Sequence, residues 1–516
     1  MQWYELTLLV VFALVSVWVV ALDLWQMALH GGHFWTGADS LWGVDQFQYQ
    51  SWVRASSQHV LVSNLYVLHQ TPADYFQPAI VISGALTALG VPPWLSLLLW
   101  KPVAVAVAFF ALRAYVNRTL VGRPARAAAL ALALFFGSWT IVYGSIGPIG
   151  DMFPGFLAWG YPFALLELAA MIAALLAYDR ARAKEGISWL PGLLGAAASS
   201  LHPWNGALLI AAVVGAELAM VRWRRITRAQ LRLPVTTLAL TAIPLVYYVV
   251  LGRADPSWHL AQQASKHSFP LWSVALELTP LLVPALLAYR KYPQTFLGAA
   301  TMAWPLAALA EYVLSTTQFG ATPLHAVQGI TAPLAILAIV GLRDVGFGRV
   351  RYSLVVGTLL VLTFTVPMTF KEMRLARRMT VFRVGDNNYI TNSEHRALDY
   401  LARDPRPGGV VTRVYLGELV PGMTGRRTYV GDCLWSQPAC HEREGDVLSL
   451  FQGTSTPAAA QRFVAYLVSR KARFLLSDCE SSGHLDKLIA PLIVSEHRFG
   501  CATVYEVGNR GARASG

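Results

Sequence analysis

Apolar residues along this chain come in long blocks parted by short polar stretches, the pattern of a protein that crosses a hydrocarbon layer repeatedly. The first block, Leu6–Leu24, is apolar over about 19 residues, enough to span a core of about 30 Å as a helix. It lacks a basic flank and a small-residue cleavage site, so it reads as an uncleaved first span. Further blocks predict spans at 95–113, 127–144, 159–179, 188–201, 204–221, 233–251, 272–289, 293–312, 326–342 and 352–370, about eleven crossings. Blocks 188–201 and 204–221 are short and meet at the turn His202-Pro203, so a re-entrant hairpin fits there as well.

Composition agrees: 55% of the 516 residues are hydrophobic and 14% charged, too apolar for an ordinary soluble domain. The net charge of +12 would suit nucleic acid, but its distribution argues against that partner. Of the 21 Lys and Arg before residue 371, 17 fall in five clusters between apolar blocks: Arg113–Arg126, Arg180–Lys184, Arg222–Arg232, Arg290–Lys291 and Arg343–Arg351. Such clusters mark cytoplasmic loops. The expected protein is therefore a multi-pass protein of the plasma membrane with its N-terminus cytoplasmic and its C-terminus outside.

The loops on the outer side are then 25–94, 145–158, the His202 turn, 252–270 and 315–325. They carry Asp39, Asp45, Asp74, Asp151 and Asp255 with few basic residues, so any chemistry of the membrane half faces outward. In the first of them, VDQFQYQSWVRASS predicts a helix with Asp45, Tyr49 and Trp52 on one face, and FQPAIVISGALTALG predicts a second amphipathic helix. Both are expected at the membrane surface.

From Lys371 onward, strand-like runs (GVVTRVYL, RRTYVG, RFLLSDC, LIVSEHRF, CATVYEV) alternate with helical stretches at 392–402 and 457–471, which predicts an α/β domain. The organisation expected is a transmembrane domain at 1–370, with surface helices within 25–94, and a soluble extracytoplasmic α/β domain at 371–516. All four cysteines, Cys433, Cys440, Cys479 and Cys501, lie in this tail and suit disulfides in an oxidising exterior. The basic run Lys371, Arg374, Arg377, Arg378 and Arg383 opposes the charge rule on that side and fits a helix lying on anionic membrane lipids.

An acid-plus-aromatic cluster after the first span, helices in the first outer loop, the segment PADYFQPAIVISGAL, many further spans and a soluble outer tail together resemble the GT-C superfamily of membrane glycosyltransferases. More narrowly, GVDQFQYQSW, LHPWNG, PLHAVQGI and GRRTYVG are similar to multi-span proteins of high-GC actinobacteria. The resemblance implies sugar transfer from a polyprenyl-phosphate donor to a cell-envelope glycan, glycolipid or protein acceptor at the outer face, a role in cell-wall biogenesis. It puts Asp45 in the role of general base for the acceptor hydroxyl, a poor nucleophile until its proton is taken up. The group often has a second acid where this chain has Gln46, and Asp151 in SIGPIGDMFPG can supply one.

The leaving phosphate calls for cationic or N–H-bearing partners. His202, His325 and Lys266 stand at outer ends of spans, Arg54 follows Asp45, and Tyr49, Trp52 and Trp204 are the aromatics near the expected site. Glu167, Glu277 and Glu311, inside spans, either line an acceptor cavity or neutralise a neighbour. No metal motif is present; a divalent ion held by Asp45 with Asp151 is the one alternative the acids offer. Two rival readings are a transporter or flippase of lipid-linked sugars, which predicts inverted repeats, and a non-catalytic envelope-assembly scaffold.

Overall fold

The computed structural model describes residues 1–38, 43–139, 152–184, 188–221, 228–266, 269–316, 322–347 and 352–508. Asp39, Asp151 and His267 lie outside them. The chain divides into two compact units. One is Met1–Trp18, Leu99–Val250 and Ser265–Leu375; the other is Val19–Leu98, Leu251–Ala264 and Ala376–Gly516. The residues after the first span therefore belong with the tail, whereas a boundary at 370/371 would have left them with the membrane helices.

The first unit is a helical bundle. Among the described residues, eight helices are long and apolar enough to cross a membrane: Trp3–Leu29, Pro93–Thr119, Pro162–Ala183, Pro203–Val221, Gln230–Ala254, Leu271–Ala288, Phe296–Ser315 and Ser353–Met379. Leu218, Ile243, Leu306 and Phe364 point outward from these helices, as lipid-facing residues do. The protein is a multi-pass membrane protein. The other three expected spans correspond to shorter helices, Arg123–Phe135, Leu190–Leu201 and Thr331–Asp344. Thr331–Asp344 is apolar because it is packed on nearly all sides, and Gly341 lets it approach Leu271–Ala288 so closely that a Cβ would sit 2.2 Å from the Pro284 carbonyl.

Four of the basic clusters meet at one end of this bundle through direct contacts. Arg113 pairs with Glu5 (2.9 Å), Arg118 with Asp179 (3.2 Å), Arg182 with Glu217 (2.8 Å) and Lys291 with Asp344 (2.6 Å), while Arg343 donates to the Val121 carbonyl (3.0 Å). Buried Lys101 spends its donors on the carbonyls of Ser16, Ala158 and Trp159. The last helix, Ser353–Met379, carries Lys371 to Arg378 as its own final turns.

The second unit joins distant parts of the sequence. Strand β1 (His33–Trp35) pairs antiparallel with β2 (Tyr389–Thr391), with Phe34 opposite Ile390. Strands β3 (Gly409–Val411), β4 (Ala472–Ser477), β5 (Ile493–Phe499) and β6 (Ala502–Val507) form a sheet of order β3-β4-β6-β5, in which β3 and β4 are parallel and the other pairs antiparallel. Period-two alternation sends Phe474 and Leu476 into one core with Leu398, Leu419 and Phe47, and Leu475 into another with Val447, Phe451 and Val464. All four cysteines are paired, Cys433 with Cys440 and Cys479 with Cys501.

Two expected strands differ. The residues VYL of GVVTRVYL open the helix Val414–Thr424, and RRTYVG contributes a single bridge, Thr428 to Val410. The expected surface helix is present at Gly43–Ser56 but is largely buried: Phe47, Trp52 and Val53 pack inward, and so do Gln46, Gln48, Gln50 and Ser51. Gln50 donates to the Thr36 carbonyl (3.3 Å), and Gly84 of the helix Pro78–Ala88 abuts Ser56, where a Cβ would come within 2.6 Å of backbone.

Replacing Gly341 tests the bundle. Gly341→Val is expected to cost about 1–3 kcal/mol by forcing a side chain into a backbone carbonyl, read as a lower Tm of the detergent-purified protein. An unchanged Tm would show that the two helices do not meet there.

Candidate functional site

Asp45 stands in the first turn of Gly43–Ser56, half-buried, where a negative charge is favoured by the helix N-terminus. Tyr49 lies one turn on with its ring 5.8 Å from that of Trp52, so the expected shared face exists. Arg54 does not share it: nine residues of helix carry it about 13.5 Å along the axis and to the opposite side. Its guanidinium lies instead against Gly425 and feels Asp399.

Trp52 is a core residue. It contacts Tyr75 (4.4 Å between centroids), Trp435 (5.3 Å) and Trp258 (5.9 Å), and Trp258 closes the group on Tyr75 (4.6 Å) and Trp435 (4.7 Å). Only Trp258 is half-exposed, so it is the member with a face to offer a ligand.

Around Asp45 lie two acids that the sequence reading passed over. Asp432 is buried; desolvation pushes its carboxyl up to about 7, the charge of Asp45 adds to this, and the Leu434 N–H opposes it. Glu418 is buried on Val414–Thr424, and desolvation raises it to about 8, with Asp432, Asp386 and Glu444 contributing and a hydrogen bond from Asn387 opposing. An ideal Cβ on Gly43 would lie 3.7 Å from the Asn387 side-chain oxygen, so the start of the Asp45 helix adjoins the Glu418 partner. Asp74 and Asp255 make a second carboxyl contact: burial raises Asp74, and the charge and hydrogen bond of Asp255 raise it further. The sequence signal was faint: one acid in the apolar run VYLGELVPG, one beside a cysteine.

In the membrane unit, His202 and His325 come together, their rings edge-to-face at 4.5 Å, with Trp204 6.5 Å from His202 and 6.3 Å from His325. The Glu167 carboxylate lies 3.5 Å from His202 Nδ1. The turn ending Leu190–Leu201 supplies His202, the short helix Pro323–Val327 supplies His325, and the first turns of Pro162–Ala183 supply Glu167. Asn205, one turn past His202, and Gln328 are buried, and among the described residues neither Asn205 side-chain atom finds a hydrogen-bond partner. Glu167 and the paired Arg182 stand 15 residues apart on one helix, about 22 Å, so this cluster sits at the end opposite the basic belt. Lys266 is exposed, with no ion pair among the described residues.

The architecture compares with solved structures. The oligosaccharyltransferase of Archaeoglobus fulgidus, tethered with an acceptor peptide containing the NVT sequon, matches over 99% of this chain and 74% of its own, at a TM-score of 0.50 and 13% identity. AglB from the same archaeon, in complex with an inhibitory peptide and a dolichol-phosphate, matches over 95% and 72%, at a TM-score of 0.51 and 13% identity. This chain has the GT-C glycosyltransferase fold. At such identity the likeness establishes architecture, and no family model or curated protein matches the sequence.

Asp151, expected to hold a divalent ion together with Asp45, lies outside the described residues. Among the described residues, the one grouping of His, Cys, Asp and Glu at ligand spacing is Cys433, His441 and Glu444, and the Cys433 sulfur is committed to Cys440.

The raised acids predict a pH dependence. A carboxyl whose folded pKa exceeds its unfolded value contributes stability that is complete below the unfolded pKa and lost as pH rises through the folded one. For Glu418 that window runs from 4.5 to about 8. The unfolding free energy should fall across it by up to about 1.4 kcal/mol per pH unit, read as a falling Tm. Glu418→Gln should flatten the slope; an unchanged slope would show that Glu418 is not the group titrating.

Proposed function

We propose that the protein is a membrane glycosyltransferase moving a sugar from a polyprenyl-phosphate-linked donor to a cell-envelope glycan, glycolipid or protein acceptor at the outer face of the plasma membrane. The observation that carries this reading is the GT-C fold over nearly the whole chain, in structures whose names record an acceptor peptide and a dolichol-phosphate.

The chemistry needs a proton acceptor and a seat for a leaving phosphate. In this proposal the Asp45 carboxylate takes the acceptor proton as the acceptor oxygen bonds to the anomeric carbon. The bond from that carbon to the phosphate oxygen breaks, and its electron pair leaves with the carrier. Asp151 is proposed as the second acid. His202 and His325, with the buried Asn205 amide, can offer N–H donors to phosphate oxygens, and Trp204 an aromatic wall. Lys266 and Arg54 are left with peripheral parts, because one is exposed and the other faces away from Asp45.

Synthetic polyprenyl-phosphate sugars incubated with the purified protein provide the test. Asp45→Asn is expected to lower transfer by at least about 10²-fold with an unchanged Tm. His202→Ala and His325→Ala should each raise the KM for donor. Transfer undiminished in Asp45→Asn would remove the base from this scheme, and absence of both transfer and binding across the donor panel would sink the enzyme reading.

A further inference from the structure

The tail holds a cavity of about 430 Å³ that the proposed chemistry does not use. Its size falls within the range of about 300–1,000 Å³ typical of small-molecule sites. Its walls are of two kinds. One is polar: Asp386, Asn387, Glu418 and Glu444. The other is aliphatic, built by Val414, Val447 and Leu448, the last exposed at 38%.

The lining discriminates among ligand classes. A phosphate or other strong anion would meet the carboxyls of Asp386, Glu418 and Glu444, and both guanidiniums already face acids: Arg413 is bound to Glu480 (2.7 Å) and lies near Asp478 (3.7 Å), and the charge of Arg383 acts on Asp386. A purely apolar ligand would leave the polar wall unused: Asn387 and Glu418 are bonded to one another, but Asp386 and Glu444 would face an apolar surface in place of water. A pyranose matches both walls. Its rim of hydroxyls both donates and accepts, as the Asn387 amide and the carboxyls require, and its C–H face is apolar.

We propose that this cavity is a carbohydrate-binding subsite that takes one neutral pyranose unit of the acceptor. Glu418 ties it to the reaction: it lines the cavity, senses Asp432, and Asp432 in turn senses Asp45. Calling the bound unit part of the acceptor rests on the transferase reading; the binding itself does not.

Saturation-transfer NMR on the full-length protein in detergent, with neutral hexose and pentose oligosaccharides as probes, tests the inference. Wild type should bind at least one series. Leu448→Trp, which fills the cavity from an exposed helix position, and Asn387→Ala should each weaken binding by about tenfold, the equivalent of one good hydrogen bond or contact. If no oligosaccharide binds, if Leu448→Trp binds unchanged, or if peptides rather than sugars saturate the site, the subsite is refuted. Sugar binding that Leu448→Trp removes, in a protein that transfers nothing from any donor, would uphold the subsite and reject the transferase reading.

Discussion

The burial of the polar helix Gly43–Ser56 is the constraint on which the second unit depends. Its glutamines and serine are too hydrophilic to enter lipid and too regular in their contacts to be a loose loop. They can be buried only where backbone carbonyls and close-packed neighbours receive them, as the Thr36 carbonyl receives Gln50 and Gly422 of the tail lies against Gln50 and Ser51. The β1–β2 pair then fixes the register of residues more than 350 positions apart in sequence. Asp45 is thereby held by tail residues rather than by the span that precedes it.

That placement creates the electrostatics. Burying a carboxyl favours its neutral form, and each nearby negative charge adds to the effect. Asp432 and Glu418 are thus paired acids in the sense that matters for chemistry: they share a neighbourhood in which ionising all members is costly. The membrane unit solves the opposite problem with different means, neutralising its basic belt by local ion pairs and leaving imidazoles and amides at the far end.

How much of this was legible in the sequence depended on the range of the interaction. The spans were readable because lipid imposes a length and an apolar composition on each helix separately; Leu271–Ala288 differs from its expected limits by one residue at each end. The convergence of His202 with His325 was anticipated only as a shared side of the membrane, and the helix at Asp45 from local spacing. Burial of that helix was not readable, since Gln46, Gln48 and Gln50 look solvent-facing until a partner in the tail is known. Val414–Thr424 looked like a strand because VYL carries β-branched and aromatic residues, but tertiary packing against Gly43–Ser56 overrides that propensity. Thr331–Asp344 shows the limit of that reading: an apolar run looks the same in sequence whether lipid or protein surrounds it, and here protein surrounds most of it.

The acids also bear on why Asp45 is the member of its cluster suited to take a proton in the proposed reaction. A base must offer an open lone pair and must be reachable by substrate. Glu418 and Asp432 are buried and hold protons to near-neutral pH. In that state they add no negative charge beside Asp45, which stands half-buried at a helix N-terminus, where backbone N–H groups favour a carboxylate. As pH rises and the buried pair ionises, the acids become competitors for the same charge.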